Sequence, residues 1–391
     1  MKNSAHVGIV MLGGDFQALG AVRSLAVKGV PVYLVDYELG ICRYSRFVKK
    51  RVLINGLLNP DLFADKLIDL ARRENVKGWV LMPNNDELIK LLSINMEKLD
   101  KWYKIPVPNW EVVKLFYFKN NAYRLAEQIS IPVPTIYRGQ NLEEFLSQNL
   151  SYPIVLKPAY KEKYYPITKK KAIRVNDENQ FVQEYNAMSS IIDPSEIVVQ
   201  EFLDGGPKNL YSYVGFFSGD RFDVGMAARR LRQHPMDFGH ATTYAVSVDI
   251  PTLRDMAERL LCEMGFFGIA EVEFMYDEKV DQFKFIEING RIWGWHTLAK
   301  AAGVNVPYAA WQYMIGAEID STEPKIDVKW IRLLTDIPTV VKEICGGRMR
   351  VKDYFRSIKG KKEFAVFSIK DPLPFFMEIF HVPYLWWKRG F

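Results

Sequence analysis

The sequence predicts a multi-lobe protein of the α/β and α+β classes, and three observations carry that expectation. Residues 6–37 run strand, glycine turn, helix, strand, which is a βαβ opening. From about residue 150 the pattern changes to strands joined by short turns, as in a mixed α+β region. In "KFIEINGRIWGWH", Lys284 to His296, the residues Glu287, Asn289 and Arg291 stand at alternate positions of a strand-like run. Their side chains then share one face while Ile286 and Ile288 can enter a core.

At 391 residues the chain exceeds what one ordinary core supports. Four segments are expected: 1–110, 111–200, 201–324 and 325–391. Hydrophobic residues at 49% and charged residues at 25%, without a low-complexity tract, exclude disorder. The 52 Lys and Arg against 46 Asp and Glu give a net charge of +6, spread apart from "RFVKKR" (Arg46 to Arg51), the Lys161–Lys171 runs and "KGKK" (Lys359 to Lys362). Such runs fit solvated faces better than nucleic acid, which is not expected as a partner, or anionic lipid. Cys42, Cys262 and Cys345 are odd in number and far apart, giving neither a disulfide framework nor a zinc spacing, so a reducing cytoplasm is expected.

In the first segment "VGIVMLGG" is too short for a membrane span and is followed by Asp15, so it reads as a first strand. Gly13, Gly14 and Gly20 do not make GxGxxG, and a dinucleotide fingerprint is absent. A helix in "PDLFADKLIDLARREN" and a strand in "VKGWVLMP" lead to "NNDELIKLLS". Asn85 and Asp86 there are read both as helix caps and as ligand contacts, because strand C-termini of open α/β sheets form crevices.

The decisive stretch is "GIAEVEFMYDEKVDQFKFIEINGR". If "YDEKVDQ" makes a hairpin turn, Glu273 faces Glu287 and Glu271 faces Asn289. Opposed like charges destabilise a sheet unless something positive lies between them. A divalent cation meets that need, and Glu273, Glu287 and Asn289 are hard oxygen donors that leave positions open for water and phosphate, as magnesium prefers.

Together with "IPVP", "YPIVLKP" and "VVQEFLDG" in the same order, "AEVEF…FIEINGR" resembles the ATP-grasp superfamily over roughly residues 6–320. The similarity is greatest to carboxylate-amine ligases of the D-aspartate ligase-like group. The resemblance implies an N-terminal α/β pre-ATP-grasp domain followed by a two-lobe ATP-grasp fold, with ATP and Mg2+ (or Mn2+) as cofactors. It implies that Lys157 and Lys171 hold the α- and β-phosphates, with Lys119 reaching them as well. Gln200, Glu201 and the backbone of Leu203 would meet adenine, and Asp204 or Asn209 the ribose. Arg291 would stabilise the transferring phosphoryl group, with Arg230 of "MAARRLRQHP" beside it. His240, Trp295 and His296 are candidates for the substrate side, with Asn85 and Asp86. Two departures stand out: Phe118 occupies a position where the family often has Asp, and the phosphate-covering loop reads "YKEKYYPITKKK" instead of being glycine-rich.

The activity so implied is joining a small-molecule carboxylate to an amine through an acyl phosphate. A kinase or carboxylase-like enzyme of the same fold and a non-catalytic ATP-binding module are the alternatives. The tail, ending "DPLPFFMEIFHVPYLWWKRGF", is expected first to dock onto the ligase body, next to make a homodimer contact, and last to touch a membrane.

Overall fold

The computed structural model describes residues 7–159, 163–236 and 241–382. The first domain contains β1 (Ile9–Leu12), β2 (Val32–Asp36), β3 (Lys50–Leu53) and β4 (Val80–Pro83), a parallel sheet in the order β3-β2-β1-β4. Asp15 caps the helix Phe16–Ala26 by accepting hydrogen bonds from the Gln17 and Ala18 amides, and Asn85 caps Asp86–Ile94 by accepting from Leu88 N at 2.9 Å. The capping reading of Asn85 is thus what the geometry contains. β3 was not anticipated, because it lies in the basic "RFVKKR" run. Lys50 and Arg51 are exposed on this edge strand, where charge discourages pairing with another chain.

A second sheet is antiparallel, with β5 (Ile136–Tyr137), β6 (Ile154–Pro158), β7 (Ile173–Val175) and β8 (Ile197–Glu201) in the order β5-β8-β6-β7. The stretch "EIVVQEFLDGGPKNLYSYVGFF" reads as a strand, a Gly-Gly turn and a strand, and both strands form. The two strands belong to different sheets, and the chain crosses between them at Gly205 (φ 111°) and Gly206 (φ 62°). A Cβ on Gly205 would lie 2.0 Å from the Asn209 amide, so both conformation and space require glycine.

The third sheet has seven strands in the order β13-β12-β9-β10-β11-β14-β15 among the described residues. They are β9 (Leu210–Phe217), β10 (Phe222–His234), β11 (Ala241–Val248), β12 (Gly268–Asp277), β13 (Gln282–Asn289), β14 (Lys329–Ile331) and β15 (Lys362–Phe364). The expected β12–β13 hairpin forms, with Glu271 opposite Asn289 and Glu273 opposite Glu287. The next pair is Phe274 with Phe285, so Ile286 is an extra residue on β13. That bulge changes the expected alternation: Phe285 and Ile288 are buried, and Ile286 is only half-buried.

The segment after residue 324 docks onto this body. It supplies β14 and β15, and buried ion pairs fasten it: Arg232 to Asp336 at 2.8 Å, Arg332 to Glu378 at 3.1 Å and Arg23 to Asp371 at 2.9 Å.

Candidate active site

β12 and β13 lie side by side at one end of the large sheet and gather three carboxylates. Asn289 Nδ2 donates to Glu271 (3.1 Å) and to Glu273 (3.2 Å), while Ser212 of β9 donates to the other oxygen of Glu271 at 3.3 Å. Burial pushes the Glu271 carboxyl well above its usual range, with Glu273 adding to the shift. Glu273 is also raised by burial, against the pull of Arg230, whose Nη2 donates to it at 3.1 Å. These groups call for positive charge.

Lysines supply part of it. Lys119 opens the helix Lys119–Gln128 and its ammonium donates to Glu287. Burial alone would raise Glu287, but Lys119, Lys157 and Lys171 together hold it down at about 2. Lys157, on β6 of the small sheet, donates to the Tyr123 hydroxyl at 2.7 Å and is 8% exposed. Burial, with Lys119 beside it, lowers its ammonium to about 7. An anion placed beside such a lysine would favour its charged form, as Glu287 does in part.

Arg291 follows β13 and makes a two-point pair with Asp86, Nε to Oδ1 at 2.6 Å and Nη2 to Oδ2 at 3.2 Å. Its Nη2 also donates to Asn289 Oδ1 at 3.1 Å. Asp86 lies at the start of the helix Asp86–Ile94, so the crevice residue of the first sheet and the arginine of the acidic strand are brought together. Arg230 lies on β10, an interior strand, and its Nε is buried without a partner. A charged sheet edge, the plain reading of that arginine cluster, does not describe it.

The other expected residues are placed as follows. Gln200 is buried on β8, and its Oε1 lies 3.3 Å from the Tyr123 hydroxyl. Glu201 takes the Lys284 ammonium and the Thr135 hydroxyl, and Leu203 is buried just beyond it. Asp204 is exposed and pairs with Lys279 at 2.8 Å. Lys171 stands just before β7, and its charge reaches Glu273 and Glu287. Trp295 (4% exposed) packs on Trp293, and His296 (2% exposed) hydrogen-bonds Trp293 O at 2.9 Å. Burial lowers the His296 imidazole to about 4. His240 lies outside the described residues.

Sequence reasoning missed Tyr123. Its hydroxyl takes the Lys157 ammonium and donates at 2.8 Å to the carbonyl of Ile286, the bulged residue of β13. The available signal was helical: Tyr123 is four residues after Lys119 and therefore on its face.

The donor set fits a hard divalent cation. Glu273, Glu287 and Asn289 Oδ1 are hard oxygen donors on adjacent strands, and all three are now held, by Arg230, Lys119 and Arg291 in turn. Among the described residues no group of three or more His, Cys, Asp or Glu side chains forms a metal cage by itself. Two carboxylates and an amide leave positions for water and phosphate oxygen, which is how magnesium is usually held.

Residues 246–322, which include the whole acidic hairpin, match the family described as carbamoyl-phosphate synthase L chain, ATP binding domain. A urea amidolyase from Lachancea kluyveri is 22% identical over 316 residues, covering 76% of this chain and 16% of that protein. The chain therefore spans 16–17% of the length of the curated relatives it matches. Among solved structures, the biotin carboxylase domain dimer of 2-oxoglutarate carboxylase from Hydrogenobacter thermophilus, in complex with MgADP, ADP and bicarbonate, aligns with a TM-score of 0.63. It is 16% identical, over 82% of this chain and 73% of that one. An L-amino acid ligase from Bacillus licheniformis aligns with a TM-score of 0.60 at 15% identity, over 79% of this chain and 74% of that one.

Proposed function

We infer, from a chain that has the ATP-grasp fold, that this protein is an ATP- and Mg2+-dependent ligase that joins a small-molecule carboxylate to an amine and releases ADP and phosphate. One observation carries the reading. Glu271, Glu273, Glu287 and Asn289 on β12 and β13 face a cationic wall of Lys119 and Lys157, with Arg230 and Arg291 at its margin.

A triphosphate needs cations on more than one side, and phosphoryl transfer needs positioning and charge neutralisation more than covalent help. Lys157, with Lys119 and Lys171, would receive the phosphates, and Gln200, Glu201 and the Leu203 backbone would meet the base. Glu273, Glu287 and Asn289 would hold Mg2+, which neutralises phosphate charge when bound. A substrate carboxylate oxygen attacks the γ-phosphorus, the bond to the bridging oxygen breaks, and ADP departs. Arg291 and Arg230, always charged, would hold the transferring phosphoryl and the acyl phosphate that results. The amine then attacks the carbonyl carbon, the bond to the phosphate oxygen breaks, and phosphate leaves with the proton that the amine nitrogen gives up. Asp86 would aim the Arg291 guanidinium, and the substrate carboxylate would enter beside this pair, between the first sheet and β13.

A second reading is favoured by the likeness to biotin carboxylases: the activated carboxylate is bicarbonate. Phosphorus NMR of the protein with Mg-ATP separates the two. ADP and phosphate released only with carboxylates and amines supports ligation, release with bicarbonate alone supports carboxylation, and AMP with pyrophosphate would overturn both.

A further inference from the structure

Two helices of the docked extension are built inside out. In the helix Leu333–Cys345 the buried residues are Thr335, Asp336, Thr339, Val340 and Glu343, whereas Ile337 is 51% and Val341 54% exposed. In the helix Leu373–Phe380 the acidic Glu378 is 3% exposed, whereas Phe376 is 52% and Phe380 75% exposed. The cause is the ion-pair cluster: Arg232 and Arg332 draw Asp336 and Glu378 inward, and each helix must then turn its apolar side out. Between them, the helix Val351–Ser357 leaves Val351 and Phe355 exposed, and Arg232 holds its last residue, Ser357, at 3.0 Å. Continuity of the apolar surface is seen where the Phe364, Phe367, Phe375 and Phe376 rings touch in succession, with Phe367 and Phe376 exposed. Exposed apolar side chains that adjoin one another mark an interaction site.

Charge says what covers it. Residues 333–391 carry eleven Lys and Arg against six Asp and Glu, a net +5 of the chain's +6. All nine described basic residues of this segment, from Lys342 to Lys370, are exposed. Of its six acids, Asp336, Glu343, Asp371 and Glu378 are buried and Glu363 is half-buried, leaving Asp353 exposed. A second copy would bring the same positive charge against itself, which opposes pairing. The sequence beyond Val382 adds Tyr384, Trp386, Trp387, Lys388 and Arg389, aromatic and basic types that suit a headgroup region.

We propose that the segment 333–382 is a docking surface for an anionic lipid bilayer, with the outward apolar side chains entering the headgroup and acyl boundary and the exposed lysines and arginines meeting lipid phosphates. The docking expected first for this segment is kept, and the bilayer is placed ahead of the homodimer contact. Among the described residues no helix is long and apolar enough to cross a membrane, and the contact proposed is with the bilayer surface.

The test is co-sedimentation of the full chain with vesicles of phosphatidylcholine alone and of phosphatidylcholine containing phosphatidylglycerol. Retention on the second and not the first is expected, falling by about tenfold between roughly 0.1 M and roughly 0.5 M salt. The double variant Phe376→Asp and Phe380→Asp should lose retention while keeping its circular dichroism spectrum and its nucleotide affinity. A charge variant, Lys359→Glu with Lys362→Glu, should weaken it and leaves the apolar side intact. Failure to sediment with the anionic vesicles at low salt would overturn the proposal. So would equal retention on both vesicle types, or a dimer seen by light scattering that the phenylalanine variant dissociates. None of these outcomes depends on which reaction the ATP-grasp site performs.

Discussion

Lys157 is a buried ammonium with a phenol on one side and a second lysine near it, and that setting has a pH signature. Its folded value of about 7 lies below the unfolded value of about 10.4, so the unfolded chain binds a proton that the folded chain lacks between those limits. Lys157 therefore costs stability below about pH 7, and that cost is relieved as pH rises toward about 10. Urea unfolding of the nucleotide-free protein should show a rising contribution over this window that disappears in Lys157→Met. A phosphate placed beside Lys157 restores its charge, so nucleotide binding near pH 8 should take up a proton, read by calorimetry in two buffers of different ionisation enthalpy. Proton release would count against Lys157 as a phosphate ligand. Glu287→Gln keeps the shape of its residue and removes the carboxylate that Lys119 now holds. Turnover should fall by roughly 100-fold or more while the melting temperature changes by only a few degrees. Unchanged activity would sink the metal assignment.

At the scale of elements, the acidic hairpin was legible because "YDEKVDQ" reads as its turn, which sets Glu273 against Glu287 and Glu271 against Asn289, and opposed glutamates then call for a cation. The bulge at Ile286 was not legible, since it depends on where β12 and β13 stop matching, and neither strand alone encodes it. Tyr123 was lost with it, because its partner is the carbonyl that the bulge frees. β3 stayed hidden behind its charges, and the Gly205–Gly206 turn gave no sign that it carries the chain from one sheet to another. Each is decided by a neighbour distant in sequence. Two predictions belong here. Asp86→Asn should leave the Arg291 guanidinium without its counter-charge and lower stability by about 2 kcal/mol, a figure reduced because the pair is partly solvent-accessible. It should also raise the KM for the carboxylate substrate in steady-state kinetics. Gly205→Ala, forced into a left-handed backbone and against Asn209, should destabilise by at least about 1 kcal/mol in denaturant titration.

For the whole molecule, the extension is held by buried ion pairs. Arg232 and Asp336 are 4% and 0% exposed at their side chains. Arg232→Met should cost about 3–5 kcal/mol by stranding Asp336, and limited proteolysis should then cut the segment after residue 324 first. Uniform digestion along the chain would mean that the segment is held some other way. The order of the large sheet adds a matter of solubility. The acidic pair occupies one end of it and β14 with β15 the other, so a chain shortened at residue 324 would strip β11 of the partner that now pairs with Tyr244 to Val246. Bare backbone amides and carbonyls on a strand of valine, alanine and tyrosine recruit further strands from other molecules. Trimming to the catalytic fold would then yield aggregate instead of a smaller enzyme, and the minimum soluble length of this protein is set by a sheet edge far from its chemistry.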